Sequence, residues 1–190
     1  MQVIERKTKE TDIKVQLELK GEGKALIDTG IGFFDHMLEA LSKHSLMNLS
    51  LTCKGDTHID FHHSVEDVGI VLGQALREAL YPLSSVERYG NATVVMDEAA
   101  VECALDLSNR PYLVYELDIE GKVGDFDVEL AEEFFRALIG NAGISAHIVA
   151  KRGKNKHHLL EAAFKAFAVA LRRALVPNER MGIPSTKGIL

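Results

Sequence analysis

Apolar and polar positions alternate along the chain with two different periods, and the same succession of periods occurs twice. Residues 11–19 (TDIKVQLEL) and 99–107 (AAVECALDL) alternate with a period of two, which is typical of a half-buried strand. Residues 34–41 (FDHMLEAL) and 132–138 (EEFFRAL) follow with apolar positions at helical spacing. The chain therefore begins each of two stretches with a strand and then a helix.

A second strand and a second helix complete each stretch. Apolar residues predict the strands at 46–53 and 144–150, and a polar loop containing glycine follows both. The closing amphipathic helices are HHSVEDVGIVLGQALREAL, from His62, and HHLLEAAFKAFAVALRRAL, from His157. The order strand, helix, strand, His-His helix is thus present twice.

This repeated order predicts two homologous halves, residues 1–86 and 87–190, that together form one domain. Glycine turns and the bend at Arg110-Pro111 indicate strand-to-strand connections, and neither half shows the long βαβ pattern of a nucleotide-binding fold. We expect an α+β fold in which each half is a small, mostly antiparallel sheet packed with two helices. The tail from Pro177 is expected to be ordered only by docking.

Composition and charge restrict the partners of this chain. It has 190 residues, 46% of them hydrophobic, with 22 Lys+Arg against 28 Asp+Glu and a net charge of -6. An acidic chain lacks the basic face that nucleic acids and membrane surfaces require, and no apolar run reaches the roughly 18 residues of a membrane span. Two cysteines, Cys53 and Cys103, and a charged N-terminus predict a cytoplasmic protein without disulfides.

Histidine is the residue that points to chemistry. The chain has 8 histidines and no tryptophan, and four of the histidines form two adjacent pairs at predicted helix starts, HHSVE at 62–66 and HHLLE at 157–161. Residues three or four apart share a helix face, so His62 with Glu66, and either His157 or His158 with Glu161, can converge on one ion.

Adjacent histidines point about 100° apart on a helix and do not easily serve one ion. The economical arrangement is two metal ions, each taking one histidine from each half. Imidazole and carboxylate ligands suit Zn²⁺, Fe²⁺ or Mn²⁺, and without cysteine ligands a structural zinc site is disfavoured. A polar helix end is the alternative interpretation of a single pair.

The remaining histidines divide into one expected ligand and three weaker candidates. Aligning the two shorter helices places His36 opposite Glu133, at helix starts that look buried, where an unpaired polar group would be costly. Both are candidate ligands. His44 ends its helix and could interact with the helix dipole, whereas His58 and His147 are expected to make ordinary hydrogen bonds.

Five motifs resemble the imidazoleglycerol-phosphate dehydratase family over essentially the whole chain: FFDHMLEALSKH, THIDFHHSVEDVGIVLGQAL, LDLSNRPYL, NKHHLLEAAFKAFAVALRRAL and IPSTKGIL. The resemblance implies a lyase of histidine biosynthesis that dehydrates D-erythro-imidazole glycerol phosphate to imidazole acetol phosphate. It implies halves of the ribosomal protein S5 domain 2-like type and a di-manganese site. It also implies a closed homo-oligomer of roughly two dozen subunits with cubic symmetry and active sites at subunit interfaces.

The resemblance implies the metal ligands as well. One ion would be held by His36, His63, His157 and Glu161, and the other by His62, Glu66, His158 and Glu133. Glu133 departs from the family pattern, because many members have histidine at this position. A carboxylate is still a suitable ligand for Mn²⁺.

Catalytic and phosphate-binding residues follow from the same resemblance. Glu10, which precedes the first predicted strand, is the candidate acid/base, and Glu66 and Glu161 could share the proton transfers. The candidate substrate- and phosphate-binding residues are Glu10, His44, Arg88, Arg110, Lys165, Ser185 and Lys187. Lys165 alone is also supported by spacing, since it lies two turns after His158 in an otherwise apolar helix. Arginines and the tail could come from neighbouring subunits.

Two other functions are compatible with a histidine-rich metal site. A di-metal hydrolase of phosphate esters would use a metal-bound hydroxide, although such sites usually contain more aspartate ligands. A metal-storage or shell-forming protein would bind metal variably and would not need Arg88, Arg110 or Lys187.

Overall fold

The computed structural model describes residues 1–189, which form ten strands and four helices. The elements of the first half are β1 (Gln2–Lys7), β2 (Thr11–Glu18), β3 (Ala25–Asp28), α1 (Gly32–Ser45), β4 (Asn48–Gly55) and α2 (His62–Leu80). Those of the second half are β5 (Tyr89–Met96), β6 (Ala99–Asp106), β7 (Tyr112–Glu116), β8 (Lys122–Val123), β9 (Phe126–Asp127), α3 (Glu129–Ala142), β10 (Ser145–Arg152) and α4 (Lys156–Ala174).

Two four-stranded sheets with the same connectivity form the outer layers. Their strand orders are β1-β2-β4-β3 and β5-β6-β10-β7. In both sheets the first three strands pair antiparallel and the last pair, β3 with β4 or β7 with β10, is parallel. The predicted α+β fold with small, mostly antiparallel sheets is confirmed, and the boundary between residues 86 and 87 stays a prediction.

The helices join the two sheets. Helix α2 packs against β1 and β2 and also against α3, whereas α4 packs against β5 and β6 and also against α1. Each first helix of a half therefore contacts the second helix of the other half. Buried and exposed residues alternate strictly at the start of β2, because one face of its sheet covers the helices. None of the helices within residues 1–189 is long and apolar enough to cross a membrane.

The N-terminal strand differs from the sequence expectation. The sequence pattern predicts the first strand at residues 11–19, but Gln2–Lys7 is also a strand and pairs with β2 along its whole length. The strand lies at the sheet edge and its residues alternate between half-buried and exposed, so its period-two pattern is hidden by charged residues such as Glu5 and Arg6. Glu10 consequently lies in the turn between β1 and β2.

Glycine at position 90 allows β5 to approach α4 closely. A Cβ atom there would overlap the carbonyl oxygen of Ala170, so we expect Gly90→Ala to destabilise the fold by about 3 kcal/mol through overpacking. Gly140 is the matched control, since a Cβ on this α3 residue meets no other atom within 4 Å. Gly140→Ala should raise stability by up to about 1 kcal/mol. Urea unfolding of both variants measures the difference, and equal midpoints would contradict this packing.

Candidate metal centre

Three side chains from two helices converge near the start of α4. His36 of α1, with His157 and Glu161 of α4, offers three ligand atoms that all lie within 4.8 Å of one another. The Glu161 Oε2 atom is 3.1 Å from His157 Nε2 and 3.5 Å from His36 Nε2. The side chains of His36 and His157 are 49% and 40% exposed, against 8% for Glu161. An open cluster with a buried carboxylate can accept a cation from solvent.

The opposite oxygen of Glu161 is bound to Lys165. Lys165 Nζ lies 2.6 Å from Glu161 Oε1, so Lys165 projects from the same face of α4 as this carboxylate. Burial raises the pKa of Glu161, but the hydrogen bond and charge of Lys165, with His36 and His157, outweigh it and lower the pKa. Glu161 is therefore a charged carboxylate, which is the form that ligates metals.

Side-chain oxygens fix where the two His-His helices start. The Asn155 side chain accepts hydrogen bonds from the backbone N–H groups of His157 and His158, which caps α4. At the start of α2, Asp60 Oδ1 accepts from the backbone N–H of His62 at 2.8 Å. Both pairs therefore lie in the first turn of a helix. Their rings are arranged alike, with centroids 6.3 Å apart in each pair.

The pair on α2 faces a different set of acids. His62 Nε2 lies 3.9 Å from Glu66 Oε2, one turn along the helix. His63 Nδ1 is 3.0 Å from Asp56 Oδ2, and this contact raises the pKa of His63. His63 Nε2 is 4.0 Å from Glu10 Oε1. The structure thus places the candidate acid/base next to a candidate ligand.

His158 repeats the contacts of His63 with other residues. Its Nδ1 atom is 2.8 Å from Glu98 Oε2, and its Nε2 atom is 3.7 Å from Asp97 Oδ2. The hydrogen bond with His158, and those from the backbone N–H groups of Asn155 and Lys154, lower the pKa of Glu98 to about 2. Glu98 therefore stays charged at any pH near neutrality.

Of the two predicted ligand sets, the chain brings together three members of the first. Within residues 1–189, His36, His157 and Glu161 form the one metal-compatible cluster, and His63 lies with Asp56 and Glu10 instead. The second set is dispersed over three places: His62 with Glu66, His158 with Glu98, and Glu133 beside Arg136 at 3.9 Å.

The expectation that His36 and Glu133 are buried is wrong. The His36 side chain is among the more exposed in the cluster, and Glu133 is about one-third exposed. Both residues lie on the solvent side of α1 and α3 near the helix starts, where the buried faces are formed by Phe34, Phe134 and Phe135. Both side chains are therefore accessible to an ion or a neighbouring chain.

The candidate phosphate-binding residues lie at several places. Arg88 is 8% exposed, and its guanidinium donates to both Asp106 oxygens and to the Pro184 carbonyl at 2.6 Å. The tail that contains Ser185 and Lys187 is thereby docked onto the segment before β5. The tail also accepts a hydrogen bond at Gly182 O from the Ser85 N–H. Arg110 is exposed in the turn between β6 and β7.

His44 lies at the end of α1 among positive charges. Its burial, and then the charges of Lys165 and Arg172, lower the pKa of His44. Lys165 is therefore close both to the His36–His157–Glu161 cluster and to His44. The positive charges around His44 are suited to bind an anionic group of a ligand.

Sequence reasoning missed the carboxylates that contact the second histidine of each pair. Neither Asp56, in the polar loop after β4, nor Glu98, before β6, is among the predicted site residues. Asp56 is seven residues before His63, but Glu98 is 60 residues from His158 and reaches it through the pairing of β6 with β10. An acidic residue in the loop directly before a His-His helix is the sequence feature that could have indicated Asp56.

Comparisons with known proteins agree on one family. The family model of imidazoleglycerol-phosphate dehydratase matches residues 29–171. A relative of that name from Aliarcobacter butzleri is 73% identical over 187 residues, covering 98% of each chain, and one from Wolinella succinogenes is 67% identical over 190 residues, covering 100% of each.

Solved structures agree with these relatives. The structure from Pyrococcus furiosus has a TM-score of 0.85 at 40% identity, covering 98% of this chain and 100% of that one. The structure of imidazoleglycerol-phosphate dehydratase from Staphylococcus aureus has a TM-score of 0.82 at 38% identity, covering 94% and 100%.

Proposed function

The chain belongs to the imidazoleglycerol-phosphate dehydratase family of hydro-lyases, and we propose that it dehydrates D-erythro-imidazole glycerol phosphate to imidazole acetol phosphate with two manganese ions. The family places the chain at a dehydration step of histidine biosynthesis. The observation that carries the proposal is the convergence of His36, His157 and Glu161 on one point at the surface.

The residues of this cluster fit a divalent cation. Ligand atoms about 2.1 Å from one ion are separated from each other by about 3 to 4 Å, which is close to the spacing of these three atoms. Two imidazoles and one charged carboxylate are a suitable donor set for Mn²⁺. The 3.1 and 3.5 Å separations from Glu161 Oε2 therefore need little adjustment to accept an ion.

The remaining ligands support an assembly in which chains share their sites. His63 is the fourth proposed ligand of the first ion, and the second ion requires His62, Glu66, His158 and Glu133. These residues are partly exposed and separated from one another in one chain. Neighbouring copies would therefore supply the missing ligands of each ion. A closed homo-oligomer of roughly two dozen subunits with cubic symmetry is the arrangement that we propose.

The proposed dehydration is difficult because no carbonyl group acidifies the C–H bond beside the imidazole ring of the substrate. Bound manganese would supply stabilisation of negative charge on the ring. Glu10 would move the proton, because its carboxylate lies 4.0 Å from His63 on an exposed turn that a substrate can reach. Glu66 and Glu161 are placed to share this role.

The substrate phosphate requires cations, which this acidic chain provides locally. Lys165 and the surroundings of His44 form one basic region beside the histidine cluster. Arg88 holds the tail, so that Ser185 and Lys187 can present hydrogen-bond donors to a phosphate. Arg110 completes the proposed set from an exposed turn, where a neighbouring subunit's site can reach it.

One assay tests the proposed function. The purified chain is supplied with Mn²⁺ and D-erythro-imidazole glycerol phosphate, and the ketone product and inorganic phosphate are measured together. We expect the ketone to form without release of phosphate. Phosphate release without ketone would indicate a hydrolase, and binding of Mn²⁺ without either product would indicate metal storage.

A further inference from the structure

The two histidines of each pair make different contacts, and the difference is the same in both halves. The second histidine, His63 or His158, meets a carboxylate at Nδ1, from Asp56 at 3.0 Å and from Glu98 at 2.8 Å. Within the described residues, the first histidine instead points Nε2 at the glutamate four residues later in its own helix. The pairs therefore contain one histidine of each kind.

The two carboxylates come from loops that are not equivalent in the repeat. Asp56 follows β4, whereas Glu98 lies in the turn between β5 and β6. The position equivalent to Glu98 in the first half is the turn that holds Glu10. The same contact at Nδ1 is thus made by a different loop in each half, which is not expected of a contact that is only a remnant of duplication.

Glu98 is held in place independently of its histidine, whereas Asp56 is held by burial of its side chain. Glu98 Oε1 accepts hydrogen bonds from the backbone N–H groups of Lys154 at 3.2 Å and Asn155 at 2.8 Å. The Asp56 side chain is 14% exposed, and within the described residues its buried Oδ1 atom has no hydrogen-bond partner, so the hydrogen bond of this carboxylate is the one with His63. A carboxylate with fixed or enclosed surroundings can therefore orient the ring that it contacts.

A neutral imidazole carries its proton on one nitrogen only. A carboxylate next to Nδ1 accepts a hydrogen bond from Nδ1–H, so the proton stays on Nδ1 and the Nε2 lone pair is free for a metal ion. We infer that Asp56 and Glu98 are positioning residues that hold His63 and His158 in the Nδ1–H form with Nε2 directed at the metal. This inference rests on the proposed function. In the proposed ligand sets, each ion then receives one histidine oriented in this way.

Glu98→Gln tests the inference in the second half. Glutamine can keep its carbonyl oxygen on the two backbone N–H groups, but its NH₂ group cannot accept a hydrogen bond from His158 Nδ1. We expect His158 to change to the Nε2–H form, seen by solid-state ¹⁵N NMR of histidine-labelled, metal-free protein at about pH 8.5, where imidazole is neutral. Mn²⁺ affinity, measured by calorimetric titration, should fall about 10- to 100-fold at one site.

Asp56 is tested with two variants. Asp56→Ala removes the acceptor, so His63 should lose its Nδ1–H preference and one Mn²⁺ site should weaken about 10- to 100-fold. Asp56→Asn keeps an acceptor oxygen and should recover much of both properties. Asp12→Asn and Glu102→Gln are the matched controls, because these carboxylates pair with Lys7 and Lys151 rather than with histidine.

The outcomes separate this inference from the proposed function. Unchanged tautomers and unchanged Mn²⁺ affinity in Glu98→Gln and Asp56→Ala would overturn the inference while leaving the proposed function intact. A wild-type chain that binds no Mn²⁺ would overturn the proposed function. The metal-free spectra would still show whether the two carboxylates set the tautomers, and absence of that effect would overturn the positioning role.

Discussion

Replacing His63 or His158 with alanine is expected to remove metal and activity together. Each variant deletes one proposed ligand of one ion, and loss of a direct ligand should weaken Mn²⁺ binding by more than the roughly 10- to 100-fold that outer partners contribute. Metal content is measured by elemental analysis after dialysis, and turnover of D-erythro-imidazole glycerol phosphate is measured on the same samples.

A histidine outside the proposed site provides the control. His147 is exposed on β10 and is not among the proposed ligands, so His147→Ala should retain both metal and turnover. Loss of metal with turnover intact in the His63 or His158 variants would count against the whole mechanism. Equal losses in the His147 variant would show that the effect is a general one on the protein.

Replacing Glu10 with glutamine is expected to lower kcat by about 10²- to 10⁴-fold without loss of metal. Glutamine has nearly the same shape but cannot take up a proton, and Glu10 is not a proposed ligand. Steady-state kinetics and metal analysis of the same preparation separate the two effects.

Glu5→Gln is the matched control for this prediction, since Glu5 lies on the adjacent strand β1 and pairs with Lys14. It should retain full activity. A Glu10→Gln enzyme with wild-type kcat would exclude Glu10 as the proton carrier and leave Glu66 and Glu161 as the candidates.

Much of the fold follows from local pattern. Helix α2 begins at His62 as the sequence predicts, where Asp60 Oδ1 accepts from the His62 N–H. Helix α4 begins one residue before His157, because Asn155 caps it. The edge strand β1 could not be predicted in this way, since its stability depends on pairing with β2 rather than on a buried face of its own.

The candidate site is predictable in composition but not in arrangement. Helical spacing puts Glu161 within reach of His157, and the structure has these atoms 3.1 Å apart. Spacing carries no information on His36, which comes close to Glu161 only because α1 packs on α4. The contact of Glu98 with His158 likewise depends on the pairing of distant strands. Such long-range contacts are properties of the fold.

The number of manganese ions per chain tests the central claim most directly. Residues 1–189 of one chain bring together a single cluster, His36 with His157 and Glu161, whereas the repeated His-His helices predict two ions whose sites neighbouring chains complete. Elemental analysis of the purified wild-type oligomer, combined with protein quantification, gives this number. We predict two manganese ions per chain, and one or none at saturating Mn²⁺ would contradict a shared two-ion site.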